Sequence, residues 1–131
     1  FTTRELQSGD AEMANEWLSG WRKYPLPIGI YPKKGLVLLD SENNPIYVGF
    51  VWSSDSDMAM LGFITRNPNV KKLPKDTRTR FCKSLDDYAQ NDLGFEHIIT
   101  WTDNKFLVND FKELGFRETS NKVSELINYK I

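Results

Sequence analysis

Two stretches of this chain carry residue types that can do chemistry. Residues 66–83, RNPNVKKLPKDTRTRFCK, hold seven basic residues and one acidic residue, leaving ten basic and seventeen acidic elsewhere in the 131 residues. A local charge of +6 therefore sits against −7 in the remainder, although the net charge is only −1. Such a cluster raises the local concentration of an anionic partner. It also leads into a helix start, where a phosphate can use free backbone N–H groups and the helix dipole. The plainer reading is a solvated lysine-rich loop. The second stretch is DNKFLVNDFKELGF, residues 103–116. It has the spacing of a capped amphipathic helix, with Asp103 at its start, Asn104 next, an apolar stripe of Leu107, Val108, Phe111 and Leu114, and Gly115 as the stop.

Other reactive types are sparse. His97 is the only histidine and opens a strand, and one cysteine adds no further ligand, so no transition-metal site is expected. Cys82 falls on the apolar side of a helix and reads as packing filler, and being alone it forms no intrachain disulfide. Asp55 and Asp57, in SSDSD, read as turn residues. Neither GxxxxGK[ST] nor GxGxxG occurs, which removes the usual nucleotide-loop readings. One basic strip on a net acidic chain makes a small footprint for nucleic acid, so none is expected as a partner. No apolar run approaches the roughly 18–20 residues that span a bilayer, and FTTRELQSGD lacks the layout of a signal peptide, so a cytoplasmic protein is expected. With 40% apolar residues and four tryptophans, a single globular domain over 1–131 is expected.

Periodicity lays out the secondary structure around these residues. FTTREL is strand-like, and Asp10 then caps a helix whose Met13, Ala14, Trp17, Leu18 and Trp21 face the core. Four residues, Pro25, Pro27, Gly29 and Pro32, make 24–35 an irregular connection. GLVLLD (35–40), PIYVGFVW (45–52) and MAMLGFI (58–64) form an antiparallel meander across two short turns, the last of them buried on both faces. Asp76 or Thr77 caps a helix lined by Phe81, Cys82, Leu85, Tyr88, Ala89 and Leu93, with Gly94 as its stop. EHIITW (96–101) is then a parallel neighbour reached by a crossover, and RETSNKVSELINYKI supplies one or two closing strands. The fold class is α/β (α+β): a mixed, mostly antiparallel twisted sheet with helices on both faces.

This order, with the local spellings RELQSGDAEMANEWL, PIYVGFVW, MAMLGFI and the run from Asn104 to Leu114-Gly115-Phe116, resembles the GNAT acetyltransferase superfamily over almost the whole chain. The resemblance implies an N-acyltransferase in which an amine of a small molecule or protein attacks the thioester of acetyl-CoA directly. It implies a cofactor site between strands 58–64 and 96–101, which splay apart. Backbone groups of Phe63, Ile64 and Thr65 would pair with pantetheine. The stretch holding Lys71, Lys72, Lys75, Thr77, Arg78 and Thr79 would take the pyrophosphate, and Asn104 would lie near the cofactor. The proline-rich connection would be the substrate-side loop, with Tyr24 and Tyr31 shaping an acceptor pocket or anchoring the loop.

Two departures accompany the resemblance. The family's pyrophosphate loop reads Arg or Gln, two residues, Gly, one residue, Gly or Ala, whereas this chain has VKKLPKDTRT, and Pro74 has no N–H to donate. Where the family often has a tyrosine acid, seven residues after the asparagine, the residue here is Phe111. No side chain is therefore assigned as catalytic. The alternative reading is a GNAT-fold binding or structural module without catalysis.

Overall fold

A computed structural model describes residues 1–21, 26–120, 122, 124, 126 and 128. Among the described residues, five strands form one sheet in chain order: β1 (Thr2–Glu5), β2 (Lys34–Leu39), β3 (Pro45–Trp52), β4 (Met58–Arg66) and β5 (His97–Thr100). The first three pairings are antiparallel and β4 pairs with β5 in parallel. The expected meander and the expected crossover are thus both present. The crossover contains α2 (Thr77–Asp87), which continues as a π-helical turn over Tyr88–Asp92 and stops at Gly94, whose φ is +81°. The other α-helices among the described residues are α1 (Asp10–Trp21) and α3 (Lys105–Glu113).

Period-two alternation along the strands divides the core between the two faces of the sheet. Val37, Val48 and Phe50 pack with Ala14 and Trp17 of α1 and with Tyr31. Leu36, Leu38, Val51 and Leu61 point the other way, into a cluster with Phe81, Leu85, Leu107 and Phe111 of α2 and α3. Gly49 lets α2 lie close to β3: a Cβ there would stand 2.7 Å from Leu85 Cδ2 and 3.2 Å from Phe81. Cys82 is fully buried on α2, and burial pushes its thiol up to about 12. No helix among the described residues is long and apolar enough to cross a membrane.

Three local expectations are corrected. Asp10 does not cap forward. Its carboxylate reaches back to the Gln7 N–H at 2.6 Å and is held by Arg4 at 2.6 and 3.1 Å, because a nearby guanidinium competes for it. Trp21 does not join the core but is 64% exposed, and its indole N–H donates to the Arg66 carbonyl at 3.3 Å over the end of β4. The final helix begins at Lys105 with Asn104, not Asp103, as its N-cap. Of the closing strands expected in 117–131, residues 121, 123, 125, 127 and 129–131 lie outside the described residues, and the described residues of that stretch are irregular, with no strand.

Candidate cofactor-binding site

The site begins where β4 and β5 part company. Their register runs from Met58↔His97 to Leu61↔Thr100, and the Thr100 hydroxyl donates to the Leu61 carbonyl at 2.9 Å. There β5 ends, while β4 continues to Arg66. Among the described residues, no strand pairs with 62–66 on that side.

β4 is also bulged at this point. Val48 pairs with Thr65 and Phe50 with Gly62, so Gly49 alone opposes Phe63 and Ile64. Phe63 adopts φ +49°, in the left-handed region that costs a residue with a Cβ about 1 kcal/mol or more. Packing compensates this strain. The Phe63 ring lies 5.3 Å from Tyr31 and 5.2 Å from Trp52, and the Thr65 hydroxyl donates to the Phe63 carbonyl at 2.9 Å. Trp52 is in turn held over Gly62 and donates its indole N–H to the Ile30 carbonyl at 3.3 Å. The bulge thus falls just beyond the last β4–β5 pairing, at residues 63 and 64.

The basic strip follows. Lys71, Lys72 and Lys75 are exposed and pair with no acidic side chain among the described residues. At the α2 start, Asp76 is the N-cap residue but makes no side-chain cap and is 3.2 Å from Arg80. The Thr77 N–H and hydroxyl both turn back to the Pro74 carbonyl, at 3.1 and 2.8 Å. The backbone N–H groups of Arg78 and Thr79 take no acceptor among the described residues, so two donors remain at the positive end of an eleven-residue helix.

The side chains of Arg78 and Thr79 are engaged. Arg78 donates from Nε and Nη2 to the two oxygens of Asp110, and the Thr79 hydroxyl donates to Asp110 Oδ1 at 2.8 Å. Asp110 is 5% exposed, on the inner side of α3. Its hydrogen-bonded carboxylate raises the Arg78 guanidinium above its ordinary value, against the opposing effect of burial. The guanidinium carbon stands 5.3 Å from the centre of the exposed Phe106 ring, a cation–π contact. These residues, with Lys75, Asn109 and Glu113, line an open cavity of about 530 Å³ between α2 and α3. A smaller one of about 130 Å³ lies between Tyr47, Arg66, Pro74 and Arg78.

Asn104 sits at the other helix start, where its Oδ1 accepts from the N–H groups of Phe106 at 2.9 Å and Leu107 at 3.3 Å. Phe111 is 3% exposed, packed 4.9 Å from Phe116. The structure thus draws Lys75, Thr77, Arg78 and Thr79 to one helix start. It leaves Phe63, Ile64 and Thr65 on the bulge and Asn104 at the start of α3. Asp55, Asp57 and His97 cluster at the opposite end of the β4–β5 pair, where the Asp57 carbonyl accepts from the Glu96 and His97 amides. Tyr31 is buried, and its hydroxyl donates to Asn15 at 2.9 Å, anchoring the connection to α1, whereas Tyr24 lies outside the described residues. Asp110 was not singled out from sequence, yet a signal was present: it falls at helical spacing between Leu107 and Leu114, inside the apolar stripe.

No protein-family model and no curated protein matches the sequence. Solved structures do match the fold. A spermidine N-acetyltransferase chimera of the Vibrio cholerae enzyme and hSSAT is 19% identical, with TM-score 0.73 over 98% of this chain and 88% of that one. A Mycobacterium tuberculosis protein solved in complex with CoA is 13% identical, with TM-score 0.73 over 95% and 76%. The ribosomal-protein-S18-alanine N-acetyltransferase of Escherichia coli is 16% identical, with TM-score 0.69 over 91% and 79%. The chain has the GNAT acetyltransferase fold.

Proposed function

We propose that the protein is an acyl-CoA-dependent N-acyltransferase, with acetyl-CoA as acyl donor and a primary amine of a small molecule or protein as acceptor. The observation that carries this reading is the bulged, strained continuation of β4 beyond its last pairing with β5. A left-handed phenylalanine is retained only where surrounding packing enforces it, and here it lies in the stretch expected to hold pantetheine. The backbone of Phe63, Ile64 and Thr65 would hold that arm and offer N–H groups to the acyl oxygen. The α2 start fits an anion: two free amides stand at its positive end, and Lys71, Lys72 and Lys75 lie just before it. Asn104 would reach the donor only through its side-chain amide nitrogen, since its oxygen is the α3 cap.

The acyl donor supplies an activated thioester. A buried Cys82, its thiol pushed up to about 12, offers no protein nucleophile, which favours direct attack by the amine. A thiolate is a much weaker base than an alkoxide, so its departure depends less on a tyrosine acid at the position of Phe111. Isothermal titration with acetyl-CoA, followed by release of free thiol with a panel of polyamines and N-terminal peptides, tests the reading. Absence of heat at millimolar acetyl-CoA would sink it.

A second reading, a GNAT-fold module that binds without turnover, rests on the engaged Arg78 and Thr79 and on Phe111 in the core. Binding of acetyl-CoA with no thiol release from any amine would select it.

A further inference from the structure

We propose that Asp110 is a built-in anion that holds Arg78 and Thr79 back from a ligand phosphate, so that affinity for polyphosphate ligands at this site is set by opening the Arg78–Asp110–Thr79 clamp. This rests on the donor-binding reading above and adds a residue that sets its strength.

Arg78 has five N–H donors in a planar fork that suits a carboxylate and a phosphate alike. Two of its nitrogens and the Thr79 hydroxyl already converge on one carboxylate, itself 5% exposed. That carboxylate comes from α3, thirty-two residues further along the chain, and it cancels the charge that Arg78 would otherwise present at the head of α2. Phe106 supports the guanidinium from one face, so the clamp is held from two sides. Arg78 nevertheless keeps 34% of its side chain in water and lines the 530 Å³ cavity, so an incoming anion can reach it. Among the described residues, Lys71, Lys72 and Lys75 carry no such internal partner. The cationic set is thus divided into a free part that attracts and a restrained part that must exchange one anion for another. Thr77 lies outside the clamp, its hydroxyl turned to Pro74.

The test compares calorimetric binding of CoA and of inorganic pyrophosphate to the full chain, to Asp110→Asn and to the double variant Asp110→Asn/Arg78→Met. The asparagine keeps the shape and removes the charge. Asp110→Asn is expected to bind both ligands more tightly, on the order of tenfold, as the release of one charge-assisted hydrogen bond would allow. The double variant should lose that gain. A folded Asp110→Asn that binds both ligands no more tightly than the original overturns the clamp, while leaving the acyl-donor reading intact if the original binds CoA. If the original binds neither ligand, both fall. Should Asp110→Asn not fold, the unaltered protein still decides. The Arg78 Nε–H proton resonance, shifted downfield by the carboxylate, should move when pyrophosphate saturates the protein. A resonance that stays in place at saturation overturns the proposal.

Discussion

The two helix starts that flank the cavity are built in opposite ways. At α3, Asn104 has extended backbone angles, φ −77° and ψ 111°, and its side chain satisfies two of the helix's free amides. At α2, Asp76 sits at φ −100° and ψ 9°, which turns its carboxylate away from the amides, and it lies beside Arg80 instead. The α3 start leaves only the Lys105 N–H without an acceptor among the described residues. The α2 start keeps two amides open and takes its support from below, through the clamp to Asp110. A residue able to cap is not yet a cap. Whether the amides remain available to an anion depends on two backbone angles and on whichever counter-ion is nearer.

Substitutions can break that contrast, and the largest effect is expected at the clamp. Asp110→Ala leaves Arg78 without its carboxylate and should cost about 2–3 kcal/mol, at the low end for a buried pair because Arg78 is partly hydrated. Urea unfolding followed by tryptophan fluorescence measures it, and a change below half that value would mean the clamp does not support α2. Alkaline pH should act on the same helix. Burial raises Cys82 from 9.0 to about 12, and burial with the bond to Glu5 raises Tyr88 from 10.0 to about 12. Both groups are neutral in the folded chain where the unfolded chain would ionise. Stability is therefore complete below about pH 9 and declines as pH rises towards 12, whatever the ligand state. A melting temperature that stays flat from pH 8.5 to 11 would contradict this.

The α3 start offers a smaller effect with a sharper meaning. Asn104→Ala removes the cap and should cost about 1 kcal/mol, whereas Asn104→Asp keeps the capping oxygen and should stay within about 0.5 kcal/mol. If the asparagine amide also touches the acyl donor, Asn104→Asp will bind acetyl-CoA more weakly at nearly unchanged stability. Equal affinity would confine Asn104 to its capping role. The smallest effect on folding is expected for Lys72→Glu and Lys75→Glu, within about 0.5 kcal/mol because both side chains are exposed. Each should nonetheless weaken acetyl-CoA binding about three- to tenfold at low salt, with the difference shrinking as salt screens it. No difference at low salt would remove the lysines from the site.

Much of the frame was legible in the residues. β3 falls on 45–52 as its β-branched and aromatic run requires, and α2 stops at Gly94 because only glycine adopts φ +81° without strain. The basic strip does lead into a helix start. The bulge was not legible: MAMLGFI reads as an unbroken strand, and Phe63 adopts the left-handed region with its ring packed against Tyr31 and Trp52, both outside its own strand. Trp21 was misread for a related reason. Helical spacing brings it towards the core side, but the end of β4 offers it the Arg66 carbonyl instead.

The sequence by itself determined the order of elements, the two apolar faces of the sheet, the concentration of positive charge before α2 and the absence of a tyrosine at Phe111. These are local properties: periodicity, propensity and composition act within a turn or two of chain. The tertiary structure alone decided how much of that charge is free. Arg78 and Thr79 are separated from Asp110 by thirty-two and thirty-one residues, and only the packing of α3 beside α2 brings a carboxylate between them. An ion pair is a property of distance in space, and no count of charges along the chain contains it.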